Sequence, residues 1–131
     1  MPLLFPHSDV PFEPNPGFLL GVFDIYDREE TLGVLLEKSD PNDPVQLRQL
    51  IERYILPRWG EANGFSEAHR QAILESVSLA LAKRDYDFSA LLTNERGDFY
   101  LPSAWNILDL RLFFERCYDE LLPLWSSNVW R

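Results

Sequence analysis

The residues able to do chemistry are few and widely spaced in this chain of 131 residues. Nucleophilic catalysis needs a serine or cysteine activated by a neighbouring base. The one cysteine, Cys117, sits in the most apolar stretch of the sequence, where a thiol stays protonated and inert. No serine lies in a GxSxG elbow. Zinc needs closely spaced Cys and His ligands, but the two histidines are far apart and no CxxC or HExxH occurs. Glu67 and His69 are two positions apart and diverge on a helix, so His69 is expected on a solvent face, and His7 is expected to be exposed in a proline-rich arm. Ser39-Asp40-Pro41-Asn42-Asp43 superficially resembles a calcium loop, but its prolines and the missing downstream glutamate favour a helix-capping turn. No glycine-rich phosphate cradle is present. The expectation is no catalytic residue, no metal ligand and no cofactor.

What the chain does concentrate is negative charge. Asp and Glu number 21 against 12 Lys and Arg, a net charge of −9. Asp24, Asp27, Glu29 and Glu30 crowd one short stretch, with Asp24 and Asp27 three apart, as are Asp27 and Glu30. The plain reading of such a run is a solvated face; the sharper one is an acidic patch for a basic protein, steered in by complementary charge. Tryptophan, tyrosine and arginine dominate binding hot spots. Trp59 and Trp105 are expected in the core. Trp125 and Trp130 are expected either to fold back onto the domain or to form an exposed apolar interface. The partner-binding candidates are therefore Asp24, Asp27, Glu29, Glu30, Trp125 and Trp130.

These residues need a scaffold, and its elements are legible in part. Five of the ten prolines fall in residues 1–16, which predicts an extended arm lying on the domain, with Phe5 and Phe12 as anchors. Residues 17–37 carry apolar side chains at near-helical spacing, with a break near Asp27, where Asp27 and Glu30 are spaced as in a capping box. One helix, two helices, or a strand over residues 18–26 followed by a helix all fit. Asp43 is a good N-cap with Pro44 at the first helical position, and Leu47, Leu50, Ile51, Tyr54 and Ile55 follow as a clean amphipathic stripe stopped by Pro57 and Gly60. Ser66 caps a helix running to about residue 83. A short helix is expected through Phe88, Leu91 and Leu92, then a polar turn over 94–98 and a short extended piece over 99–101. Ser103 is expected to cap a last helix over about 104–122, apolar nearly all round and ended by Pro123. On its polar positions, Arg111–Glu115 and Arg116–Glu120 are spaced for i,i+4 pairs.

The reading is a single, mainly all-α domain over residues 1–131: a small orthogonal or up-down bundle of about four to five helices carrying a Pro-rich arm. With 46% hydrophobic and 14% aromatic residues, it can bury a core without disulfide or metal. A lone cysteine points to a reducing compartment, most simply a cytoplasm. The N-terminus has no basic start and no long apolar run, and no membrane span is expected. Net acidity opposes nucleic acid and anionic membranes. Ten arginines against two lysines suit GC-rich coding and a bacterial source. The profile (small, acidic, cytoplasmic, non-catalytic) resembles the broad class of bacterial immunity proteins, which block a toxic, often basic, enzyme; no residue motif ties it to one family. A helical adaptor or assembly subunit, monomeric or homodimeric, is the alternative, and a small carboxylate- or metal-dependent hydrolase the third.

Overall fold

A computed structural model describes residues 3–91, 101–102 and 105–125. The protein is mainly helical, and no strand forms among the described residues. Helix α1 (17–23) is an α-helical turn, Gly17–Leu20, tightened to 3-10 over Gly21–Phe23. Helix α2 (29–36) opens on a π turn, Glu29–Gly33, and closes on Val34–Leu36. Helix α3 (44–58) runs through Pro44–Leu50, a π turn at Ile51–Ile55 and a last turn at Leu56–Arg58. Helix α4 is Glu67–Ala82 and helix α5 is Leu110–Trp125. Short 3-10 turns occupy Glu61–Asn63 and Phe88–Leu91.

Each long helix buries one stripe. From α3 come Leu47, Leu50, Ile51 and Ile55; from α4, Ile73, Leu74, Val77 and Ala80; from α5, Phe113, Phe114, Cys117, Leu121 and Trp125. These positions recur at the 3.6-residue period, so α4 and α5 pack face to face and α3 closes one side. Phe23 and Leu20 of α1 and Leu36 of α2 complete the core. Helix α5 is amphipathic rather than apolar all round: Leu112, Leu122 and Leu124 are exposed and Glu115 and Asp119 mark its wet side.

The break near Asp27 is real, and it makes two helices instead of one helix or a strand. The residues expected to form a capping box do not: α2 has no side-chain cap at its N-terminus. Asp27 takes φ +60°, outside the geometry an N-cap uses, and the first turn closes by the wider Gly33 N–H to Arg28 O bond of 3.0 Å.

Helix α3 ends at Arg58, between Pro57 and Gly60 as expected, but one residue past the proline. Proline cannot donate to the carbonyl four residues back and its ring crowds that carbonyl; the π turn just before it relieves both, with the Leu56 N–H bonded to Ile51 O, and the helix continues to Arg58. Pro123 likewise sits inside α5 instead of ending it. So near the C-terminus it costs a single hydrogen bond, and the turn beyond it is held by the burial of Trp125 and by Gln71, whose Nε2 donates to Trp125 O at 2.5 Å.

Helix α5 also starts later than Trp105. Asp109 is its cap: the Leu112 N–H donates to Asp109 Oδ1 at 3.1 Å. Residues 105–109 cross the end of α2 instead, because the buried Trp105 indole must donate to Leu36 O (2.7 Å). Asn42 holds the crossing in place by donating to Asn106 O (2.6 Å) and accepting from the Leu108 N–H (3.0 Å). Both expected i,i+4 arginine pairs are replaced by contacts between elements. Arg111 donates to Leu81 O and Lys83 O at the C-terminus of α4, satisfying carbonyls a helix end leaves open, and Arg116 donates to Asn42 O. Glu120 pairs with Arg48 of α3 at 3.1 Å. The expected cap Ser103, the turn over 94–98 and most of the extended piece over 99–101 lie outside the described residues.

Candidate binding surfaces

The N-terminal arm doubles back on itself. The Phe5 N–H donates to Val10 O (2.9 Å) and the Phe12 N–H to Leu3 O (2.7 Å), with Leu4 and Pro11 bridged antiparallel. His7 turns the loop at φ +57° and is exposed. Phe12 enters the core and touches Phe5, Phe18, Trp59, Phe65 and His69, mostly edge to face, the arrangement aromatic quadrupoles prefer.

His69 is not on a solvent face. It is 7% exposed, and both ring nitrogens are used. The Ser66 N–H donates to Nδ1 at 2.9 Å, so Nδ1 carries a lone pair; Nε2–H then donates to Leu4 O at 2.6 Å. With Ser66 Oγ accepting from the His69 N–H, the histidine completes a capping box and pins the arm with the same ring. The expectation failed because the arm approaches from 65 residues away, which no local pattern records.

Cys117 lies where its apolar surroundings predicted. Burial first, and then the Glu120 charge, push its thiol far above the ordinary value of 9.0. Among the described residues, no group of three or more His, Cys, Asp or Glu could hold a metal ion.

The acidic residues form a ledge running from the end of α1 into the first turn of α2, with Asp27, Glu29 and Glu30 exposed and Asp24 half-buried. Asp24 leaves α1 in extended geometry and accepts from the Tyr26 N–H at 3.0 Å, while Arg28 reaches back to Asp24 O at 2.5 Å. Ile25 is buried and anchors the loop from below. Tyr26, at 59% exposure, is as open to solvent as the Asp27, Glu29 and Glu30 that follow it in the chain. On α2, Val34 and Leu35 are exposed beyond them.

The two tryptophan candidates part company. Trp125 is 5% exposed, folded back into the core beside α4, and offers no exposed anchor. Trp130 lies outside the described residues.

A surface that sequence reasoning missed runs beside the arm: an open groove of about 450 Å³ lined by Phe5, Asn15, Phe18, Val22, Arg58 and Trp59, with Gly17 and Gly21 also on its wall. Phe18 and Trp59 stack, their centroids 5.6 Å apart and their planes 13° off parallel. The Arg58 guanidinium lies 4.5 Å from the Trp59 ring centre and 5.6 Å from that of Phe65. Trp59 is buried, its carbonyl held by Arg70 Nη1 at 3.1 Å, yet its Nε1–H has no acceptor. A buried donor left unpaired costs ~1–3 kcal/mol. Adjacent Arg and Trp diverge on a continuous helix; they meet here because α3 ends at Trp59 (φ −104°, ψ 20°). Pro57 and Gly60 announced that end in the sequence, but not the meeting of the two side chains. No known protein family, curated protein sequence or solved structure matches the chain.

Proposed function

We propose that the chain is a non-catalytic binding protein whose acidic ledge docks a basic protein partner, in the manner of a bacterial immunity protein that neutralises a cognate toxin-like enzyme in the cytoplasm. The observation that carries this reading is the ledge itself: Asp27 in the loop and Glu29 and Glu30 in the first turn of α2 are exposed, and they follow Asp24 and the exposed Tyr26. A run of carboxylates after an exposed aromatic residue combines long-range steering with a hot-spot residue type. The net charge of −9 adds a long-range attraction for a basic partner.

The test is affinity capture from the source cell at low salt with the tagged protein as bait. A single stoichiometric basic partner, released as salt rises and no longer captured by the Asp24→Asn, Asp27→Asn, Glu29→Gln, Glu30→Gln variant, supports the reading. A partner retained by that variant removes the ledge from the interface. Capture of no basic partner rejects the inhibitor role.

One observation favours a homodimeric adaptor as the second reading. Leu108 is 77% exposed, and with Leu112 it borders a cleft of about 230 Å³ that also includes Pro41 and Phe113. A molecular mass that doubles with concentration in light scattering, and stays monomeric for Leu108→Asp, supports it; a concentration-independent monomer rejects it.

A further inference from the structure

We infer that the groove beside the N-terminal arm is a binding site for a small monocarboxylate with a flat apolar body, such as an aryl-alkanoic acid. The site shares no residue with the acidic ledge, so the two readings stand or fall separately.

Size and shape suit such a ligand: about 450 Å³ lies within the range of small-molecule clefts. The walls are aromatic, with Phe5, Phe18 and Trp59 lining the space and the half-buried Phe18 ring, stacked on the buried Trp59, offering a flat apolar surface. The polar groups on those walls are donors in excess. Arg58 is the groove's cation. It rests over the Trp59 ring, and no carboxylate lies within ion-pair reach of it among the described residues, although the chain is acidic overall. Stacking orients a guanidinium and leaves its edge N–H groups unused, the arrangement that receives a carboxylate in a two-pronged bond. Asn15 spends its Oδ1 on the Gly17 N–H at 2.7 Å, which leaves its amide NH2 as a further donor. The Trp59 Nε1–H also lacks an acceptor but is itself buried, so Arg58 and Asn15 are the donors a ligand meets first. Donors without acceptors select an acceptor ligand, and the cation selects a negative one. The net charge of −9 disfavours an acidic macromolecule at the same place. A single small anion meets far less of that repulsion, which is why the occupant is taken as a small molecule and not a chain.

The probe is 3-phenylpropionate, with its neutral twin 3-phenylpropionamide, titrated into the 15N-labelled full chain. The readout is the indole Nε1–H resonance of Trp59, assigned by its loss in Trp59→Phe. The acid is expected to shift that resonance saturably and the amide to bind about tenfold more weakly or worse, since losing one charged bond of ~1.4 kcal/mol is a factor of ten. Arg58→Gln should weaken the acid by about the same factor, with the thermal melt lowered by no more than a few degrees, since Arg58 is exposed and loses only its contacts over Trp59 and Phe65. Arg58→Lys, which keeps the charge and loses the fork, should fall between. The inference is overturned if acid and amide bind alike, if Arg58→Gln and Arg58→Lys bind the acid as the parent does, or if saturating acid leaves the Trp59 indole unmoved. A peptide ending in phenylalanine that binds about tenfold tighter than phenylpropionate overturns the small-molecule assignment in favour of a chain terminus.

Discussion

Replacing His69 with alanine removes three things at once, and the structure sets the size of each. The ring accepts from the Ser66 N–H (2.9 Å) and donates to Leu4 O (2.6 Å), and each such bond contributes ~1 kcal/mol net. Its edge-to-face contacts with Phe12 (4.8 Å) and Phe65 (5.3 Å) add ~0.5–1.5 kcal/mol. Alanine leaves the Leu4 carbonyl and the Ser66 amide without these partners, and water reaching a site this buried restores only part of the loss. His69→Ala is therefore expected to cost ~3–4 kcal/mol, a large share of the ~5–15 kcal/mol that holds a domain folded. In urea, with a slope of ~1–3 kcal/mol/M, the midpoint should fall by about 2 M. His69→Gln separates the two roles. Glutamine at this position of a capping box can still reach back to the Ser66 N–H but is not placed to hold Leu4 O, so it should recover only the capping half. Limited proteolysis should cut both variants within the arm faster than the parent. A cost for His69→Ala below ~0.5 kcal/mol, the range of ordinary surface substitutions, or a His69→Gln variant as stable as the parent, would refute the pinning of the arm.

Gly64 adopts φ +86°, and a Cβ there would stand 2.9 Å from Pro6 Cβ. Gly64→Ala should destabilise by ~1–3 kcal/mol, through strain and displacement of the arm, as read by chemical denaturation. The Cys117 thiol, raised by burial, should resist iodoacetamide in the native protein and react only on unfolding. The unfolded chain ionises near the ordinary 9.0 while the native thiol does not, so the unfolded state releases the proton first. Stability should therefore be intact below pH 9 and fall above it in the parent, more steeply than in Cys117→Ala. The Arg48–Glu120 bridge joins side chains that are 60% and 33% exposed, so a double-mutant cycle to alanine should give a coupling below ~1 kcal/mol that shrinks further with salt.

Features decided within one or two helical turns were legible in the sequence. Asp43 caps α3 and Ser66 caps α4, because an N-cap is a contact over three residues and the side chain carries it. The stripe Leu47, Leu50, Ile51, Ile55 was readable because burial repeats with the helical period. The inert position of Cys117 followed from its apolar neighbours, and the crowding of Asp24, Asp27, Glu29 and Glu30 followed from their adjacency alone.

What the sequence could not determine were the choices made between distant segments. Whether Trp105 joins the last helix depended on the open carbonyl of Leu36, 69 residues away. Arg111 and Arg116 abandoned their helical neighbours for carbonyls on other elements, since an unsatisfied helix end or loop carbonyl is a better partner than a solvated carboxylate. His69 became a pin only because the arm carries Leu4 to it, and the groove exists only because α3 ends where Trp59 can turn under Arg58 and against Phe18. Local propensity and periodicity record a residue's own turn, whereas these outcomes depended on which backbone groups were left unpaired elsewhere, and only the packed chain supplies that.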